Sequence, residues 1–190
     1  MAETAKTIEA PRVVNGVDVT ALGETLGAVA ANPELGRFQF RNANRWIGGS
    51  RNRSTIKGFY GAGQEDSTRT EPYVFDADEP PVLLGEDKGA NPVEYLLHAL
   101  AGCMTTTMVY HSASQGVVIE AIESDIVGDI DIRGFTGLSA DVPKGYGEIR
   151  VNFRVKTDGD PETLKELTQM SPVFNTVCGS VPVVVKVETY

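Results

Sequence analysis

Two cysteines, Cys103 and Cys178, are the side chains of this 190-residue chain best suited to covalent chemistry. Cys103 closes the run Asn91-Pro92-Val93-Glu94-Tyr95-Leu96-Leu97-His98-Ala99-Leu100-Ala101-Gly102-Cys103, and the residues that follow as far as Tyr110 carry no charge. Asparagine before proline is a helix start signal, the first as a cap and the second at the first helical position. The spacing predicts a helix over about residues 92–114, ended by Gly116. A thiol inside such a helix is either a small packing group or a nucleophile held where water is scarce. The thiolate is the reactive form and an apolar surround disfavours it, so a cationic neighbour decides between the two.

At about 100° per residue, Leu96, Ala99, Leu100, Thr107 and Tyr110 fall on the side of Cys103, with Thr106 close by. Glu94 falls on the opposite side, His98 lies about 140° around, and His111 is roughly 12 Å along the axis. The helix therefore offers its own thiol no base, and activation has to come from another segment or another chain. Glu94 and His98, four residues apart, make half of a metal site at most. With two histidines in the chain, neither a metal nor a cofactor is expected.

Around that helix the sequence reads as mixed α and β. Residues 1–12 read as a flexible start, and Asn15-Gly16 as a turn between Val13-Val14 and Val17. Asp18 caps a short helix over about 18–31 with an apolar stripe of Val19, Leu22, Leu26, Val29 and Ala30, stopped by Asn32-Pro33. Arg37 to Ile47 reads as a strand, Gly48-Gly49-Ser50 as its turn, and Ser54 to Tyr60 as the returning strand. Residues 61–72 read as loop and Tyr73-Val74-Phe75 as a short strand. The acidic pairs Asp78-Glu79 and Glu86-Asp87 read as solvated loop charge.

Beyond Gly116, Val117 to Asp131 reads as one long strand whose alternation changes phase, which predicts a bulge. Residues 134–147 read as loop. Glu148 to Lys156 alternates cleanly, with Ile149, Val151, Phe153 and Val155 on one face. Pro161 opens a helix to about Met170, residues 171–180 read as irregular or helical at their start, and Val181 to Val187 is a final strand. Strands joined mostly by hairpins favour an α+β fold with antiparallel sheet. Residues 1–36 form an N-terminal extension and 37–190 the main domain.

Bulk composition narrows the function classes. The formal net charge of −9 argues against a nucleic-acid or acidic-membrane partner, because phosphate neutralisation needs a basic surface. No run reaches the roughly 18 apolar residues of a membrane span, and no signal peptide opens the chain. Cysteines at 103 and 178 make neither a disulfide framework nor zinc-like spacing. A cytoplasmic, reducing compartment is the expectation.

Trp46-Ile47-Gly48-Gly49, Asp78-Glu79-Pro80, Leu84 through Glu94, and Ala99-Leu100-Ala101-Gly102-Cys103 together resemble the OsmC/Ohr family of osmotically inducible and organic hydroperoxide resistance proteins. Ser171-Pro172-Val173 and Val181-Pro182-Val183 extend the resemblance, which covers about residues 37–188. It implies an intertwined homodimer in which antiparallel sheets wrap two central helices per chain. It also implies a thiol-dependent peroxidase acting on organic hydroperoxides in oxidative-stress defence. There a thiolate attacks the O–O bond, a second cysteine condenses with the resulting sulfenic acid, and an external dithiol reductant resets the enzyme. An arginine from the first hairpin lowers the thiol pKa, and a glutamate near the helix start holds that arginine. On this chain Cys103 matches the attacking cysteine, and Arg51 is the nearest arginine, with Arg53 and Arg45 as alternatives. Val93 holds the glutamate's place and Glu94 follows it. Ser171 stands where the second cysteine belongs, and Cys178 is a possible resolving thiol seven residues on. The rival expectation is a protein of the same fold that holds a small hydrophobic ligand at the dimer interface without turnover.

Overall fold

The structure, a computed structural model, describes residues 12–190; of the start expected to be flexible, residues 1–11 lie outside the described residues. Strands β1 (Val13–Val14) and β2 (Val17–Asp18) pair across Asn15-Gly16, both in the left-handed region at φ 54° and 76°, as a two-residue hairpin requires. Asp18 then caps helix α1 (Val19–Ala31), its carboxylate accepting from the Ala21 N–H at 3.0 Å. Asn15 ties this extension to the body. Its amide donates to the Val117 carbonyl at 2.9 Å, and its carbonyl accepts from the Ile119 N–H at 2.8 Å. No residue of α1 is buried, and Leu26 in its apolar stripe stays exposed.

The first hairpin forms around Gly48-Gly49, but with limits other than the sequence predicts. Strand β3 (Ala43–Gly48) starts late, and β4 (Arg51–Ile56) starts directly after the turn rather than at Ser54. The end of the expected returning strand separates as β5 (Phe59–Gly61), and the stretch expected as loop from residue 61 on supplies its partner β6 (Gln64–Asp66), the two turned at Ala62 and Gly63 with φ 50° and 82°. Polar Gln64-Glu65-Asp66 carries no strand signal of its own, so its pairing depends on the turn and on Phe59, which stacks with Phe38 and Phe40. Strand β7 (Tyr73–Ala77) completes an antiparallel sheet in the order β3-β4-β7.

The second half builds the core. Helix α2 (Pro92–Gln115) leads to strand β8 (Ile119–Ile130), the short helix α3 (Ile132–Phe135) and strand β9 (Tyr146–Thr157). Helix α4 (Pro161–Thr168) follows, then α5 (Pro172–Cys178) in the segment read as irregular or helical at its start, and β10 (Val183–Thr189) is the last strand. β8 and β9 pair antiparallel, with a bulge between Ile119 and Ala121 that accounts for the phase change in the sequence. β10 pairs with β9 in parallel, the exception to the antiparallel expectation. Two helices separate those strands in sequence, and a crossover of that kind returns the chain to the same end of the sheet.

The alternation of β9 puts Ile149, Val151, Phe153 and Val155 inside, each at most 1% exposed, against Leu100, Met104 and Met108 of α2 and Leu164 of α4. The opposite face is a ladder of ion pairs: Arg150 with Asp129 and Glu148, Arg154 with Glu123 and Asp125, Lys156 with Glu120. The α+β class is as the sequence predicts. Among the described residues no helix is long and apolar enough to cross a membrane.

Candidate functional site

Helix α2 is fixed at both ends. Asn91 accepts from the Val93 N–H through its side chain at 3.0 Å, while the Glu94 carboxylate accepts from the Asn91 N–H at 2.9 Å, a reciprocal capping box. Gly116 closes the other end in the left-handed region. Leu100, Met104 and Met108, four residues apart, form the buried stripe. Cys103 sits beside that stripe, half-buried, on a flank where Ala99 and Thr106 are exposed and Leu96 and Tyr110 keep 39% and 49% of their surface. Within one chain the helix is covered on one side, and the thiol belongs to the flank left open. Leu100, predicted on the thiol's side, turns into the core. The Thr107 hydroxyl donates to the Cys103 carbonyl at 2.8 Å rather than to its sulfur, and both cysteines are free thiols.

The arginines of the first hairpin gather on a carboxylate that the sequence reading missed. Arg53 grips Asp76 with two N–H groups, Nε to Oδ1 at 2.5 Å and Nη2 to Oδ2 at 2.8 Å. Arg51 reaches the same Oδ2 through Nη2 at 2.6 Å, and its Nε is buried without a partner. The guanidinium of Arg53 and then that of Arg51 hold the Asp76 carboxyl well below the usual carboxylate range. Arg51 is thus paired with Asp76, and Glu94 with the helix start. The available signal was the alternation Arg51-Asn52-Arg53. Two like charges on one face of a strand call for an opposite charge on the neighbouring strand.

Tyr95 ties this sheet to the start of α2: its hydroxyl donates to the Asp76 carbonyl at 2.7 Å and its ring meets Phe75 edge-on at 6.2 Å. Along the axis, Tyr95 lies about 12 Å short of Cys103.

The loop between β7 and α2 is built on Asp78, which is 2% exposed. Ser50 donates to it at 2.6 Å, and the N–H groups of Glu79, Glu86 and Lys88 donate at 2.9, 3.2 and 3.1 Å. The Ser50 hydroxyl first, and then these amides, bring its pKa down to about 2. Glu79 accepts from the Asn91 side chain. Asp78-Glu79 is therefore the anchor of the loop, which corrects the expectation of solvated charge. A satisfied buried carboxylate organises several backbone amides at once. Gly89 passes so close beneath the Asp76 carbonyl that a Cβ there would collide with it. Between the hairpin turn and this loop lies a cavity of about 300 Å³ lined by Ile47, Arg51, Asp78, Leu84 and Glu86.

At the place of the family's second cysteine, Ser171 is fully buried and caps α5, its hydroxyl accepting from the Phe174 N–H at 3.1 Å. Cys178 is exposed at the other end of α5, with its sulfur 3.7 Å from the Asn175 carbonyl. Among the described residues no group of three or more His, Cys, Asp or Glu side chains is placed to hold a metal ion.

Solved structures share this architecture, three of them as follows. An OsmC-like protein from Mycoplasma pneumoniae superposes with a TM-score of 0.62 at 16% identity, over 80% of this chain and 96% of its own. An organic hydroperoxide resistance protein from Elizabethkingia anophelis gives 0.53 at 16% identity, over 79% and 96%. The organic hydroperoxide resistance protein OsmC from Legionella pneumophila gives 0.51 at 16% identity, over 78% and 96%. At these identities the likeness is one of fold. No curated protein sequence matches the chain. The family described as OsmC-like protein matches residues 85–186, more than half of the chain, from the anchoring loop through α2 and Cys103 to β10. The chain belongs to the OsmC-like protein family.

Proposed function

We propose that this protein is a thiol-dependent peroxidase that reduces organic hydroperoxides through Cys103, working as a homodimer in a reducing, cytoplasmic compartment. The observation that carries the reading is the position of Cys103 midway along α2, half-buried on an open apolar flank. That flank suits a second copy of the chain, which would enclose the thiol in an apolar site able to take an organic hydroperoxide. The arginine that ionises the thiol is Arg51, contributed by the second copy. Within one chain the sheet that carries Arg51 is tied to α2 at Tyr95, about 12 Å along the axis from Cys103, and the Arg51 guanidinium is engaged by Asp76.

In the reaction the Cys103 thiolate attacks the terminal peroxide oxygen and the O–O bond breaks. The organic group leaves as an alkoxide that takes up a proton, and the sulfur becomes a sulfenic acid. An external dithiol then reduces it. Its first sulfur displaces hydroxide as water to form a mixed disulfide, and its second sulfur releases the Cys103 thiol and leaves as a cyclic disulfide. Ser171 supports the external route, since it caps a helix where a second cysteine would resolve. Incubating the reduced protein with cumene hydroperoxide and dihydrolipoamide tests the reading. Peroxide is consumed by the unsubstituted protein and not by Cys103→Ser; no consumption, or equal consumption by both, rejects it.

A second reading is a ligand-binding protein without turnover, whose dimer interface holds a small hydrophobic molecule. Two observations favour it: Glu94 is engaged by Asn91, and Ser171 by Phe174. A ligand that co-purifies in native mass spectrometry, together with a Cys103 inert to iodoacetamide at neutral pH, marks this case.

A further inference from the structure

Helix α1 is anchored at both ends and bare in between. At its start the Asn15 side chain holds the Val117 carbonyl and the Ile119 N–H, and the Arg12 guanidinium lies against Gly116, the cap of α2. At its far end the single 3-10 turn Pro33–Gly36 sets Leu35 against Gly63 and leads to Phe38, whose ring covers Gly61. Both glycines belong to the β5–β6 hairpin. Between these anchors, at about 100° per residue, Val19, Gly23, Leu26, Gly27 and Ala30 share one face, with Leu22 and Val29 along its edge. That edge is half-buried, with Val29 against Gly36. The middle of the face is not: Leu26 keeps 59% of its surface, and Gly23, Gly27 and Ala30 are exposed. Among the described residues nothing lies within 4 Å of where a Cβ would stand on Gly23 or Gly27. Glycine inside a helix is destabilising relative to alanine, and its use is to let another surface come close.

We infer that this face of α1 docks on a second copy of the chain and straps the homodimer together, an inference that rests on the homodimer of the reading above and not on its chemistry. Three observations select that occupant. The anchor at Gly116 lies about 9 Å along the axis from Tyr110, the exposed aromatic at that end of the open flank of α2. The bare face therefore continues the surface given to the second copy. The face carries no charge, as two copies of formal net charge −9 need where they meet. The rest of α1 carries Glu24 as its single charge and no lysine or arginine, which disfavours an anionic membrane surface.

Subunit exchange tests the strap: isotope-labelled and unlabelled full-length dimers are mixed, and the mixed dimer is followed by native mass spectrometry. Leu26→Glu is expected to speed exchange about tenfold or more, since it removes an apolar contact and places a charge in it. Gly27→Leu is expected to speed it as well, although leucine is the better helix former, because its side chain fills the space a close approach needs. Ala28→Glu, on the opposite face, should exchange like the parent. Equal rates for the parent, Leu26→Glu and Gly27→Leu overturn the inference and leave the homodimer standing. An unfolding midpoint lowered by Leu26→Glu without faster exchange means that the face is covered within its own chain, and overturns it too. A parent that is monomeric at micromolar concentration overturns both the strap and the homodimer. Gly27→Leu decides the question if Leu26→Glu fails to fold.

Discussion

Ser171 and Cys178 stand at opposite ends of one short helix: the hydroxyl closes the start of α5 on the Phe174 N–H, and the exposed thiol ends it. The position a second cysteine would occupy is committed to helix capping. Cys178→Ser is accordingly expected to consume hydroperoxide like the unsubstituted protein, and Cys103→Ser to consume none. After one equivalent of hydroperoxide without dithiol, mass spectrometry should find a sulfenic acid on Cys103, trapped by dimedone as a thioether with loss of water. An internal Cys103–Cys178 disulfide at that stage would make Cys178 the resolving thiol instead.

Capping by Asn91 and Glu94 separates folding from chemistry at the start of α2. Asn91→Ala should destabilise the protein by about 1 kcal/mol, read from the denaturant midpoint, and Glu94→Ala by part of that. Neither should change the alkylation profile of Cys103. A thiol pKa that rises in Glu94→Gln would show that this carboxylate also acts on the arginine.

Asp78 gives the loop a predictable acid response. Its folded pKa of about 2 lies below that of an unfolded aspartate near 3.9, so its contribution is fully present above about pH 4 and is lost as the pH falls through about 2. The gap in urea midpoint between the parent and Asp78→Asn should therefore be constant near neutral pH and shrink below about pH 4. A gap independent of pH down to 2 would mean that the charge of Asp78 contributes nothing.

The open flank of α2 makes a prediction about assembly. In analytical ultracentrifugation the parent should sediment at twice the 20.4 kDa of one chain. Leu96→Glu or Tyr110→Asp should shift it toward one, because each would place a charge in the apolar contact. A parent that runs as a monomer at micromolar concentration would remove the second copy from the proposed site.

How far the sequence could be read depended on the range of the interactions. Asn91-Pro92, Gly116, Asp18 and Asn15-Gly16 act on residues within one turn of themselves, and each does what its local pattern predicts. The alternation of β9 was equally plain, since the core needs one face of that strand to be apolar. Three features were hidden. The β5–β6 hairpin rests on Ala62 in a left-handed conformation, which nothing in an alanine announces. The parallel pairing of β10 depends on how α4 and α5 cross the sheet. Asp76 and Asp78 differ by two positions in an acidic stretch that looks uniformly wet. Yet one is gripped by arginines across a strand register and the other is enclosed by the amides of its own loop. The arginines on Asp76 lie 23 and 25 residues away in sequence, and Ser50 lies 28 residues from Asp78.

Gly89 gives the smallest of these details a practical meaning. Replacing loop glycines with alanine is a common way to stiffen an engineered protein. At residue 89 the added methyl would act as a wedge, prising the strand that carries Asp76 off the loop beneath it. One carbon atom there would loosen the grip of the neighbouring strand's two arginines on that carboxylate.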